Sequence, residues 1–192
     1  MEADSRLFDL LVKYQKEIGM LVSLDGLRDR IKLACTNTAE KAVEFQNLEL
    51  LNEAKAKMKQ HYPGQADTFA AEADLDYYRA TKDIPNYAKA CDEYAKKVAK
   101  GNPKNLHGLA EEIASIFGGD EKCMKMAEKY ARDAAEKGNT HEYYLTYALI
   151  LHKNGKKKDA ISAANKSLEL AKSAGNSDAE RQVQQFIQKM EG

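Results

Sequence analysis

Apolar side chains recur at three- and four-residue steps along the whole chain, as in Leu7, Leu11, Tyr14 and Ile18, or Ala42, Phe45, Leu48 and Leu51. No stretch alternates apolar and polar residues with the period of two that a half-buried strand requires. The pattern predicts an all-α chain, and its start and stop residues divide it into a series of helices. Ser5 opens a first helix that Gly19 ends, and Ser23 opens a second that reaches Asn37. Thr38 opens a long third helix, closed by His61-Tyr62-Pro63-Gly64, and a fourth covers residues 66–82. Pro85 sits where a first helical turn tolerates its missing N–H, and it starts a fifth helix to Lys100. Asn102-Pro103 repeats the device for a helix to Phe117; Asp120 caps the next to Lys137, and Thr140 the one to Lys153. A further helix spans Lys157 to Ser173, and Ser177 with Glu180 forms a capping box for the last.

Within this series a unit recurs. The stretches YAKACDEYAKKVAKGN (87–102), CMKMAEKYARDAAEKGN (123–139) and AISAANKSLELAKSAGN (160–176) are amphipathic helices that each end in Gly-Asn. Gly101, Gly138 and Gly175 are 37 residues apart each time. A glycine just past a helix end takes the left-handed conformation that closes it, so the spacing marks a repeated boundary. Each helix also follows another after a short turn, and three helix hairpins at one period predict a helical solenoid.

Tyr144, Tyr147, Ala148, Leu151, Gly155, Ala160, Ile161, Ala164 and Leu168 are spaced as in a tetratricopeptide (TPR) repeat, and the last hairpin resembles that family most clearly. Ala110, Ile113, Ala127 and Ala131 fit the pattern loosely in the hairpin before, whose length exceeds the usual repeat. The resemblance implies a right-handed α-α superhelix: residues 1–65 as N-terminal helices packing on the array, and 66–192 as TPR-like repeats with a C-terminal capping helix. It also implies a concave groove lined by the first helices of successive hairpins, here Glu112, Ser115 and Ile116 with Glu142, Leu145, Leu149, His152 and Lys153. A mixed apolar and charged groove suits an extended peptide or a neighbouring domain's helix; the alternative is that the N-terminal helices cover Leu145 and Leu149. Chaperone-tail-binding TPR proteins use Lys and Asn on this face; Leu145, Thr146 and Leu149 stand there instead, which argues against that ligand.

A second resemblance covers more of the chain. DLDYYRATKDIPNYAKACDEYAKK (74–97) and YYLTYALILHKNGKKKDAISAANKSLELAKSAG (143–175) are similar to the helical C-terminal region of thioredoxin-family envelope proteins of Bacteroidetes. Those proteins carry a thioredoxin-like domain ahead of the helices, whereas this chain has neither that domain nor a CxxC pair. The resemblance therefore implies a non-catalytic accessory region, with a covalently linked thioredoxin-like domain as partner and a periplasmic setting. A stand-alone adaptor in the cytoplasm is the expectation if Met1 is the native start.

Composition narrows the partner class. The chain has 192 residues, with 30 basic and 30 acidic side chains and a net charge of zero. A chain of that size buries roughly 70% of its unfolded surface and folds without disulfide or metal. The charge balance disfavours nucleic acid or an anionic membrane as main partner, and no run approaches the ~20 apolar residues of a membrane span. The N-terminus MEADSRLFDLLVKYQ lacks the basic and apolar regions of a signal peptide.

Reactive residue types form no chemical constellation. His61, His107, His141 and His152 show no two-ligand helical spacing and are expected at the surface. His141 and His152 share a helix but lie about 16 Å apart at its rise per residue. Cys35, Cys91 and Cys123 sit among apolar neighbours and are expected as buried unpaired thiols, with a Cys91–Cys123 disulfide as the alternative. Paired carboxylates such as Glu111-Glu112 and Asp74-Asp76, and Lys156-Lys157-Lys158, are expected on solvated faces and turns. No residue is assigned to catalysis, a cofactor or a metal. A distributed catalytic site is the least favoured alternative.

Overall fold

The computed structural model describes residues 1–191, and its elements are all helical. They are α1 (Arg6–Lys13), α2 (Gln15–Val22), α3 (Leu24–Glu44), α4 (Leu48–His61), α5 (Pro63–Ala80) and α6 (Ile84–Tyr94). After a π-helical segment at Ala95–Ala99 come α7 (Pro103–Ile116), α8 (Glu121–Gly138), α9 (His141–Lys153), α10 (Lys157–Ser173) and α11 (Ser177–Glu191). Contacts divide the chain into two compact units, Met1–Val98 and the residues from Ala99 on. The seam expected near residue 65 falls inside the first unit, in the first turn of α5.

In the first unit the breaks differ from the expected ones, and side-chain hydrogen bonding explains why. Thr38 opens no helix: it lies fully buried inside α3, its hydroxyl donating to the Ala34 carbonyl (3.0 Å) and accepting from the Ala3 N–H (2.7 Å). Such back-bonding satisfies a threonine inside a helix, so a capping residue type need not cap. The chain turns instead at Phe45–Asn47, where Gln46 takes a positive φ and Asn47 Oδ1 accepts from the Leu50 N–H at 3.1 Å. Gly19 likewise lies within α2, and the first helix breaks at Tyr14. The core gathers Phe8, Leu27, Ile31, Cys35, Leu51 and Met58. α3 packs on α4, α4 on α5, α5 on α6, and α3 also reaches α5.

The second unit repeats that order. α7 pairs with α8, α8 touches α9, α9 pairs with α10, α10 touches α11, and α7 reaches α9. Alanines line the pairings: Ala110, Ala127, Ala131, Ala148, Ala160 and Ala164 have no exposed surface. Small side chains let helix axes approach closely, while Ile113, Tyr130, Leu151 and Val183 fill the remaining space. Caps at Asn102, Asp120 and Thr140 stand where expected, each side chain accepting from the first turn. The last helix is capped by Asn176 rather than Ser177, its Oδ1 accepting from the Ala179 N–H at 3.1 Å.

The three repeated glycines do different work. Gly101 and Gly175 take positive φ, as a helix-closing glycine should, but Gly138 is the last helical residue of α8. Asn139 adopts the left-handed conformation there (φ 47°, ψ 46°). Gly138 is needed for space: a Cβ at that position would stand 2.5 Å from Tyr143 Cδ2 and 3.0 Å from Pro103 Cβ.

Candidate functional site

The expected groove lies wholly in the second unit, on α7 and α9. Asn102 Oδ1 accepts from the N–H groups of Lys104 (2.9 Å) and Asn105 (3.4 Å), fixing the start of α7, and Thr140 Oγ1 does the same for α9 through Tyr143 (3.3 Å). The two helices meet along a seam that is polar at its centre. His107 Nε2 and Thr146 Oγ1 are 2.9 Å apart, and Thr146 Oγ1 lies 3.3 Å from Glu111 Oε1. The His107 ring also sits 4.6 Å from that of Tyr143, centroid to centroid. At the far end Lys153 Nζ donates to the Ala114 carbonyl at 3.4 Å, a cation placed on the negative end of α7.

Sequence reasoning missed this seam. His107 is only 7% exposed, which corrects the expectation of four surface histidines. The signal was available in the four-residue spacing of His107 and Glu111 on one helical face, but their partner Thr146 lies 39 residues from His107. His61 stacks edge-on against Phe8 at 5.7 Å, and His141 accepts or donates across 3.4 Å to Asn176.

The expected groove residues separate into three groups. Glu142 and Leu149, seven residues apart, share one exposed side of α9, and Leu149 keeps 41% of its surface. Leu145 and His152 turn toward the C-terminal helix: Leu145 packs on the Ala148–Ala164 cluster, and the His152 ring meets Phe186 edge-on at 5.8 Å. On α7, Ser115 is exposed and follows Glu111 by about one turn, whereas half-buried Glu112, five residues from His107, points well away from the seam. Ile116, 45% exposed, is nine residues from His107 and so about half a turn away from the seam on a 3.6-residue helix. It does not share a side with Leu149.

Below the seam a cavity of about 350 Å³ opens between the Gly118-Gly119 turn and Asn154. Its walls bind each other. Asn154 Nδ2 donates to the Met124 carbonyl (3.2 Å) and to Glu128 (2.8 Å), and Lys156 Nζ meets Glu128 at 2.6 Å. Burial raises the Glu128 carboxyl, but the hydrogen bonds from Lys156 and Asn154 outweigh it and hold the group below its ordinary value of 4.5. Cys123, beside this turn, is pushed up to about 11 by burial and then by the Asp120 carboxylate, and Cys35 reaches about 11 through burial in the other unit. A thiol so raised is a poor nucleophile. Cys91 is fully buried.

Among the described residues no group of three or more His, Cys, Asp or Glu side chains is placed to hold a metal ion, and no helix is long and apolar enough to cross a membrane. Compared with protein-family models, curated proteins and solved structures, the chain matches none.

Proposed function

We propose that this chain is a non-catalytic, TPR-like protein-interaction module. Its α7–α9 surface would hold an extended peptide or a partner's helix. The observation that carries the reading is the packing order of the second unit. First helices α7 and α9 lie side by side, and Leu149 stays uncovered between the His107–Thr146 seam and the His152–Phe186 contact. An exposed leucine on the side of α9 that also carries Glu142 and Lys153, one turn from the Thr146–Glu111 contact, offers one apolar anchor among charges of both signs, the mixed character that peptide grooves use.

The test is selection of peptides against the chain from a displayed library, followed by affinity measurement with Leu149→Arg and Ser115→Arg. Both variants alter exposed positions and leave the fold intact. Each should weaken a selected peptide by at least tenfold, about 1.4 kcal/mol. Selected peptides that bind both variants as tightly as the parent would refute the groove. The resemblance of residues 74–97 and 143–175 to thioredoxin-family envelope proteins favours a version in which the partner is a linked domain. The intact mass of the endogenous protein separates the versions: a mass well above 21.5 kDa supports linkage, and a mass near that value supports the free adaptor.

A further inference from the structure

Within the first unit α3 reaches α5, and a cavity of about 140 Å³ opens between the two helices. Residues at three- and four-residue steps line it from both sides, a spacing that keeps each set on one side of its helix. Ala39 of α3 and Ala73 of α5 bring little bulk into the space. With Phe69 they form a recessed apolar floor, 8%, 7% and 6% exposed respectively. The rim is acidic: Glu40 comes from α3, Glu72 and Asp76 come from α5, and all three are exposed.

The chain leaves this negative rim largely unneutralised. Among the described residues no lysine, arginine or histidine lines the cavity. Lys41, next to Glu40, pairs instead with Glu2 at 2.9 Å, and Lys55 pairs with Asp74 at 2.6 Å. Asp76 is held by Arg79 at 2.8 Å, but among the described residues Glu40 and Glu72 have neither an ion-pair nor a hydrogen-bond partner.

These features narrow the occupant. The carboxylates form no group able to hold a metal ion among the described residues, so a bare divalent cation does not fit. The volume lies below the roughly 300–1,000 Å³ that drug-sized ligands occupy, and suits a single side chain. An apolar floor under a negative rim matches a long cationic side chain, whose methylene stem packs on apolar surface while its head stays at the edge. Arginine fits better than lysine: its planar fork addresses carboxylates with several donors, and its weaker hydration makes leaving water less costly.

We infer that the α3–α5 cavity receives an arginine side chain presented by a segment of a partner protein. The stem lies on Phe69 and Ala73, and the guanidinium meets Glu40 and Glu72. This site belongs to the first unit and does not depend on the α7–α9 surface.

The test uses the full chain and three peptide libraries, degenerate around a fixed central arginine, norleucine or glutamate, with binding read by fluorescence anisotropy. At about 50 mM salt the arginine library should bind at least tenfold more tightly than the norleucine library. The gap should narrow at about 500 mM salt, which screens exposed charges. Glu40→Gln combined with Glu72→Gln should abolish the gap while leaving the far-UV circular dichroism unchanged, since neither carboxylate has a partner to lose. Glu17→Gln combined with Glu49→Gln removes the same charge from exposed positions outside the cavity and should preserve the gap. Absence of any preference for arginine over norleucine, including no binding at all, overturns the inference. So does a preference that survives loss of Glu40 and Glu72, or one lost equally with Glu17 and Glu49. Spermine competing as effectively as the arginine library would show that charge alone is read, and overturns it too.

Discussion

Replacing Gly138 with alanine should destabilise the second unit, against the usual trend for glycine in a helix. A Gly→Ala change inside a helix ordinarily gains up to about 1 kcal/mol, because the backbone loses fewer conformations on folding. Here the new methyl would stand 2.5 Å from Tyr143 Cδ2, about 1 Å inside the usual contact distance of roughly 3.5–4.0 Å. The ring cannot simply swing away, because it packs against His107, whose own position is held by Thr146. Overpacking of this kind costs about 1–3 kcal/mol, so the net loss should be about 1–2 kcal/mol. Gly108 supplies the control: it lies inside α7 with nothing within 4 Å of a built Cβ, and Gly108→Ala should stabilise by about 0.5–1 kcal/mol. Urea unfolding followed by far-UV circular dichroism reads both. Hydrogen exchange of α8 and α9 amides assigns the change to the right unit. Adding Tyr143→Ala to Gly138→Ala should cancel most of the coupling if the ring is the obstacle. A Gly138→Ala chain as stable as the parent, or a cost that persists unchanged without the Tyr143 ring, would refute the reasoning.

Glu128 should shape the acid limb of stability. Its folded-state pKa is depressed, so its contribution is present above its unfolded value near 4.5 and is lost as pH falls through the lower folded value. Glu128→Gln should therefore lower stability at neutral pH and flatten the fall below about pH 4.5; parallel curves for parent and variant would contradict this. Cys35 and Cys123 should react with a disulfide reagent at pH 8 only as fast as their surroundings open, because burial holds both thiols near 11. Labelling at the rate of a free thiol in the folded chain would show the burial to be wrong.

The fold class and most of the helix ends were legible because they depend on neighbours in sequence. Asn102, Asp120 and Thr140 cap the helices that their positions announced, and the three- and four-residue spacing marks the buried faces. What escaped depends on distant residues. Thr38 looks like a cap until Ala3 arrives from 35 residues away to use its oxygen, and Gly138 looks like a helix stop until Pro103, far back in the sequence, is folded against it beside Tyr143. The candidate groove was half legible for the same reason. Periodicity placed Glu142 and Leu149 on an exposed side of α9, yet it could not say that Leu145 and His152 would turn toward α11 or that Ile116 would face away from the seam.

The buried polar groups of the second unit explain how alanine-lined helices keep a fixed alignment. Faces built from Ala110, Ala127, Ala131, Ala148 and Ala164 permit close approach but carry little shape to prevent sliding. Three of the seams instead hold polar contacts that fit only one alignment: His107 with Thr146 between α7 and α9, the Asn154 amide on the Met124 carbonyl of α8, and the Ser167 hydroxyl on the His141 carbonyl at 2.6 Å. Made, each such bond contributes about 0.5–1.5 kcal/mol; left buried and unpaired, the same groups cost about 1–3 kcal/mol. A slip by one turn would break several at once, so the penalty for misalignment far exceeds the bonds' own contribution to stability. The position of α9 relative to α7, on which any peptide bound there would depend, is thus set from inside by His107 and Thr146.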